Sequence, residues 1–134
     1  MNTFYSDKII DNIIELSDIE SHHCLKVLRH KVGDQIFVVN GKGKRSLCLI
    51  SAINRNNVIA DVLENKLFKK KPYRIHLFIS PTKSHDRIDW LVEKSVEIGV
   101  DEITFLKTSR TLRKKINLTR LENIAISAMK QSSQ

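Results

Sequence analysis

The hydrophobic period of this chain changes once, near Pro72, and that switch constrains its architecture more than any other feature. Before it, apolar residues come in short runs separated by turn-forming residues. After it, they follow the spacing of alternating strands and helices. A chain of 134 residues with 41% hydrophobic side chains has room for one ordinary domain or two small ones. The switch favours two. The boundary is placed in the stretch from Asn65 to Pro72, where Lys69-Lys70-Lys71 interrupts the pattern, giving expected domains of 1–71 and 72–134.

In the first half, residues 13–16 predict a strand. Ser17-Asp18-Ile19-Glu20 then has capping-box spacing, with the Ser17 hydroxyl set to accept from the third helical amide and Glu20 set to reach back. Ile19, Leu25, Val27 and Leu28 predict the buried stripe of a helix of about three turns, stopped by Gly33-Asp34. Three strands are expected at 35–40, 45–53 and 58–63, joined by the turns Asn40-Gly41-Lys42-Gly43 and Asn54-Arg55-Asn56-Asn57. In the middle strand Leu47 and Leu49 face one way and Cys48 and Ile50 the other. A small barrel or a curled sheet satisfies this pattern.

In the second half, a strand at 75–79 leads into a helix capped by Ser84, with Asp86 and Asp89 in its first turns, where the helix dipole favours negative charge. Gly99 ends it, and a strand follows at 102–107. Asn117 is set to cap a last helix whose apolar stripe is Leu118, Leu121, Ala125 and Ala128. This is the start of an open α/β sheet with a right-handed crossover. Ile75, Leu77, Ile79, Ile103, Phe105 and Leu106 then need cover on both sheet faces. Two helices do not provide it, so the layer is expected to be unfinished and the chain cut short.

Several function classes drop out. The longest apolar runs are four residues (36–39 and 47–50), too short to cross a membrane. The N-terminus has no secretion-signal pattern, and Cys24 and Cys48 form no CxxC pair. A cytoplasmic protein is expected. Gly41-Lys42-Gly43 lacks the third glycine of a dinucleotide loop and reads as a turn. His22-His23-Cys24 has no second ligand pair at zinc spacing, so no metal site is expected. Glu93 and Glu97, with Lys94 and Arg87 nearby, read as a solvated, salt-bridged helix face.

Charge points to a partner class. The net charge is +8, from 23 Lys and Arg against 15 Asp and Glu, which favours polyanions such as nucleic acid. It is shared between the halves: 12 basic against 8 acidic residues in 1–71, and 11 against 7 in 72–134. His22, His23, Lys26, Arg29, His30 and Lys31 gather on and after the first helix, with Lys42, Lys44 and Arg45 at the adjacent hairpin turn. Arg110, Arg113, Lys114 and Lys115 form a second group before the last helix.

His23-Cys24-Leu25-Lys26-Val27-Leu28-Arg29, then Val32-Gly33-Asp34 and Asn40-Gly41-Lys42-Gly43, resemble the N-terminal signature of the 16S rRNA (uracil-N3)-methyltransferases. Lys83, the run Asp86 to Lys94, Glu97-Ile98-Gly99-Val100, Thr108-Ser109-Arg110 and the run Ile124 to Ser132 follow that family's order, with Lys130 where many relatives carry Glu.

The resemblance implies an α+β protein: a small PUA-like β-barrel, then the first part of a SPOUT-type α/β methyltransferase domain whose C-terminal knot binds S-adenosyl-L-methionine and forms a homodimer interface. The knot motifs Gly-Pro-Glu-Gly-Gly and Leu-Arg-x-Glu-Thr do not occur in this sequence. No cofactor-binding residue is therefore assigned here, and this chain alone is expected to be inactive. The implied reaction is methylation of N3 of a uridine in 16S rRNA of the small ribosomal subunit. Arg110 is the candidate catalytic cation, stabilising charge that develops on the uracil oxygens. His23, Arg29, Lys31, Lys44 and Arg45 are the candidate RNA contacts of the barrel, with Lys83 and Arg113 beyond it. Two rival readings are a stand-alone RNA-binding module without catalysis and a protein-interaction domain that docks through the unfinished layer.

Overall fold

A computed structural model describes residues 1–69, 71–106 and 116–132. The chain divides between residues 70 and 71 into two units.

The first unit is built on the longest hairpin, β5 (Lys44–Asn54) and β6 (Asn57–Leu67), eleven residues each. Ser46, Cys48 and Ile50 of β5 are buried, so the strict alternation of the sequence sets its inner face. Asn54 pairs with Asn57, and Arg55 and Asn56 between them have φ of 51° and 67°. That is the two-residue loop with both central residues left-handed whose twist matches a hairpin. β4 (Gln35–Val39) pairs antiparallel with β5, and β3 (Ile13–Glu15) antiparallel with β6. Two short strands, β1 (Thr3–Tyr5) and β2 (Ile9–Ile10), complete a six-stranded sheet in the order β1-β4-β5-β6-β3-β2. β1 runs parallel to β4. Register shifts at Leu47/Cys48 and Ile50/Ala52 mark bulges, which bend a strand and raise its local twist.

The expected three-turn helix is instead two elements. α1 (Asp18–His22) is followed by a π-helical turn, His23–Val27, in which the Leu28 amide donates to His23 O at 2.9 Å. The apolar stripe inferred for this helix is only half buried: Leu25 and Leu28 pack against the core, Ile19 and Val27 do not. Ile19 is 74% exposed and Val27 57%, whereas Glu20, Ser21 and Cys24 are buried. Hydrogen bonds explain the burial of Glu20 and Ser21, because a buried polar group is tolerated once paired. Ser17 Oγ accepts from the Glu20 amide at 3.2 Å, as a cap should. Glu20 Oε2 accepts from the Tyr5 amide at 3.0 Å and ties α1 to β1. Ser21 Oγ donates to Leu16 O at 3.2 Å and accepts from the Val58 amide at 3.0 Å. The core below holds Phe4, Ile14, Leu16, Ile36, Ile50 and Val58, each at 0% exposure. Cys24 and Cys48 lie in the same cluster, and burial pushes both thiols up to about 11, which leaves them unreactive at neutral pH.

The second unit pairs β7 (His76–Ile79) parallel with β8 (Glu102–Phe105). Between them runs α2 (His85–Glu97), where Ser84 Oγ accepts from the Arg87 amide at 3.4 Å. Gly99, at φ +89°, turns the chain out of it. α3 (Leu118–Ser132) is capped by Asn117, whose Oδ1 accepts from the Arg120 amide at 3.1 Å. Ile88, Val92 and Leu121 form the buried cluster, with Ile103, Phe105, Ile116, Ile124 and Ala125 packed on it. Leu118, expected on the stripe, is exposed at the first turn of α3.

The six apolar residues expected to need cover on both faces divide otherwise. Strand alternation puts Leu77, Ile79, Ile103 and Phe105 on the helix side, while Ile75 and Leu106 flank the strands, partly exposed. The opposite face carries His76 stacked on Phe78, ring centroids 4.0 Å apart, with Phe78 57% exposed. His76 Nε2 is 2.7 Å from Thr104 Oγ1 across the ladder. Lys94 bridges Glu97 at 3.2 Å and Glu93 at 4.0 Å, a salt-bridged helix face. Among the described residues no helix is long and apolar enough to cross a membrane.

Candidate nucleic-acid interface

The chain segment after the π turn holds the first cationic group. Arg29 is exposed and left-handed, with φ 56°. Lys31 follows, also exposed, and its amide donates to Asp34 Oδ2 at 3.0 Å. The same oxygen lies 3.0 Å from His30 Nδ1, and His30 Nε2 is 2.7 Å from Asn2 Oδ1. The Lys31 amide first, and His30 next, hold the Asp34 carboxyl below its usual range. Asp34 thus closes a short loop that presents Arg29 and Lys31 on a fixed backbone. His23, expected beside them as an RNA contact, is half-buried with its ring edge-on to Phe4 at 6.0 Å. Its first role is packing.

Lys44 and Arg45 are not neighbours of that loop. They begin β5, beyond the turn, and Arg45 pairs with Val39 at the far end of β4. Asp34 bonds Ile50 at the other end, its carbonyl accepting from the Ile50 amide at 2.9 Å. Five residues of β5 separate the two positions, roughly 17 Å of strand. The two groups adjacent in sequence are therefore split between opposite ends of one strand pair.

At its own end, Arg45 sits over the Phe37 ring at 4.6 Å and the Phe68 ring at 5.7 Å. Lys66, its partner on β6, lies 5.3 Å from the Phe68 ring. Two cations and two aromatic rings make a surface suited to stacking a base as well as to attracting a phosphate. Phe37, Lys66 and Phe68 were not among the expected contacts. Their signal is the length of β6, which carries Lys66 opposite Arg45.

In the second unit Lys83 is exposed on the loop before α2. Arg110 and Arg113 lie outside the described residues. On α3, Arg120 pairs with Asp89 Oδ2 and approaches His85 Nδ1 at 3.5 Å. Asp89 Oδ1 is buried without a partner among the described residues. Asp101 accepts from the Ile75 amide at 2.7 Å, which lowers its pKa, with Lys71 3.6 Å away. Among the described residues no three His, Cys, Asp or Glu side chains gather as metal ligands.

Comparison with known proteins decides what these surfaces belong to. A family described as RNA methyltransferase domain matches residues 69–134, and its companion, described as RNA methyltransferase PUA domain, matches residues 16–63. The chain belongs to this RNA methyltransferase family. Ribosomal RNA small subunit methyltransferase E of Buchnera aphidicola (from Acyrthosiphon pisum) is 32% identical over 131 residues, 89% of this chain and 49% of the relative. That of Aquifex aeolicus is 27% identical over 98% of this chain and 58% of its own length. A probable rRNA-methyltransferase from Porphyromonas gingivalis superposes with a TM-score of 0.83 and 38% identity, covering all of this chain and 56% of that one. The Neisseria gonorrhoeae ribosomal RNA small subunit methyltransferase E, solved bound to S-adenosyl methionine, gives 0.84 at 30% identity, with 57% of that chain covered. This methyltransferase-family chain spans about half the length of the curated relatives it matches.

Proposed function

We propose that this chain carries the RNA-docking unit and the first α/β segment of an enzyme that methylates small-subunit ribosomal RNA, with N3 of a uridine in 16S rRNA as the acceptor and S-adenosyl-L-methionine as the donor. The observation that carries the reading is the pair of family matches in tandem, one on each structural unit. The net charge of +8 supports an RNA partner.

No residue is assigned to the donor, and the chain's proposed part lies with the RNA. Phosphate contacts fix register and orientation; Arg29 and Lys31 on their closed loop, with Lys44, are proposed for that work. Arg45 is proposed to act through its stacked rings, and His23 to hold the loop's approach. Lys83 and Arg113 are proposed to extend the cationic surface. A uracil N3 must shed its proton before its lone pair can attack, and Arg110 is proposed to stabilise the resulting charge on the flanking carbonyl oxygens. A homodimer and a cytoplasmic site of action complete the proposal.

Deleting the gene in its native host and analysing the nucleosides of 16S rRNA by mass spectrometry tests it. One N3-methyluridine should disappear and return on complementation. A nucleoside profile identical to the parent's would overturn the reading.

A further inference from the structure

A second concave surface of the first unit is not accounted for by the residues above. It is a cleft of about 330 Å3 between α1 with its π turn and the tip of the β5–β6 hairpin. Asp18, His22 and Lys26, four residues apart, line the helical wall; Arg55, Asn56 and Asn57 line the other. Leu25 gives the cleft an apolar patch. Asn57 Nδ2 donates to Asp18 Oδ1 at 2.9 Å, which links the two walls and fixes the cleft's carboxylate on the helical side. The side chains of His22, Lys26, Arg55 and Asn56 make no hydrogen bond or ion pair with other described residues. Arg55 is ten residues from Arg45 along β5, so this is a different surface from the stacked rings.

The hairpin tip adds an independent observation. Arg55 has φ 51°, a conformation in which a side chain with a Cβ is disfavoured and which hairpins ordinarily give to Asn or Gly. A strained residue kept at an exposed tip points to use of its side chain. Lys26 and Arg55 outnumber the single Asp18 carboxylate in a cleft at the small end of the roughly 300–1,000 Å3 range of ligand sites. An open cleft of that size takes one phosphate and its sugar from a passing strand.

We propose that this cleft seats a phosphodiester of an RNA strand, with Lys26 and Arg55 holding the phosphate from opposite walls. Asn56 faces the adjoining ribose and Leu25 its apolar side. The inference rests on the reading that the chain handles RNA, and adds a docking point that continues from Arg29 and Lys31 across the π turn and is separate from Arg45.

Binding of a fluorescent small-subunit rRNA hairpin to the whole chain, titrated against salt, tests it. The Lys26→Gln/Arg55→Gln variant should bind more weakly, with the slope of log affinity against log salt reduced by about 1.4–1.8, two contacts' worth. Arg55→Gly provides the second arm: glycine adopts the turn freely, so its thermal midpoint should match or exceed the parent's while RNA affinity falls. If both variants bind with the parent's affinity and slope while Arg29→Ala/Lys31→Ala is weakened, the cleft is overturned and the RNA reading stands. If the parent itself shows no salt-linked RNA binding, both fall. Loss of affinity for a poly-glutamate peptide with RNA binding intact would give the cleft to an acidic protein and overturn the proposal.

Discussion

The two units bury their apolar residues to different depths. In the first, Phe4, Ile14, Leu16, Ile36, Ile50 and Val58 reach 0% exposure in one cluster that draws on five strands and the segment before α1. In the second, the cluster is Ile88, Val92 and Leu121 at 4–6%, and the far face of its two-stranded sheet leaves Phe78 open. A six-stranded sheet with the π turn's Cys24 packed into its core encloses more of that core than two helices on one face of a two-stranded parallel sheet can. Stability should therefore be unequal along one chain.

The largest expected effect compares one substitution in both places. Ile50→Ala should cost about 4 kcal/mol and Ile88→Ala about 2, because the tighter site collapses less around the lost atoms. Urea unfolding can separate them, since Trp90 on α2 is the single tryptophan and reports the second unit alone. Trp90 fluorescence should change at lower urea than hydrogen exchange opens residues 35–63. Equal midpoints and equal losses would abolish the contrast.

Ser21→Ala sharpens it from within the first unit. The hydroxyl serves the Leu16 carbonyl and the Val58 amide, both buried, so its removal strands two groups and should cost about 1–3 kcal/mol. The Val58 amide should exchange faster than its neighbours on β6. Protection equal to the parent's would show that another group takes over.

Acid brings each unit's depressed carboxylate into play. Asp34 and Asp101 both accept from a backbone amide, and both ionise below the ordinary value of 3.8. A carboxyl with a lowered folded-state pKa adds stability that is complete above its unfolded pKa and fades as pH falls through the folded one. Each unit should thus lose stability only below about pH 4. Asp34→Asn should flatten the acid limb of the first unit and Asp101→Asn that of the second. A crossed pattern, read by exchange and by Trp90, would mean the units are coupled. The smallest effect is expected for Arg45→Ala, about 0.5–1 kcal/mol from its contacts with Phe37 and Phe68. Calorimetry on Arg45→Lys, which keeps the charge but loses the plane, should give part of that loss.

The sequence was most readable where one residue does one local job. Ser84 and Asn117 cap helices because their side chains reach amides three residues on, a relation written in the chain itself. The turn at Arg55-Asn56 and the inner face of β5 are legible for the same reason. Hydropathy missed part of the first helix's buried face, since Glu20 and Ser21 are buried by partners on β1 and β6 that no local window contains. β6 extends to Leu67 rather than to residue 63 because β5 supplies ladder partners for Glu64, Asn65 and Lys66, whose own composition is polar. The same distance effect hid the candidate site. Lys31 and Arg45 look like one cluster along the chain, yet a strand's length separates them, while Arg45 and Lys66 meet only through pairing.

The parallel pairing of β1 with β4 also sets an order of events at birth. Thr3 lies opposite Phe37, so β1 is made well before the neighbour it pairs with. At roughly 5–20 residues per second, about 2–7 s pass before Val39 is made. During that interval Phe4, wholly enclosed in the finished unit, has no place to go. A bound chaperone that shields this aromatic would hold the unit open, and a bulky group fused ahead of β1 would delay its pairing with β4.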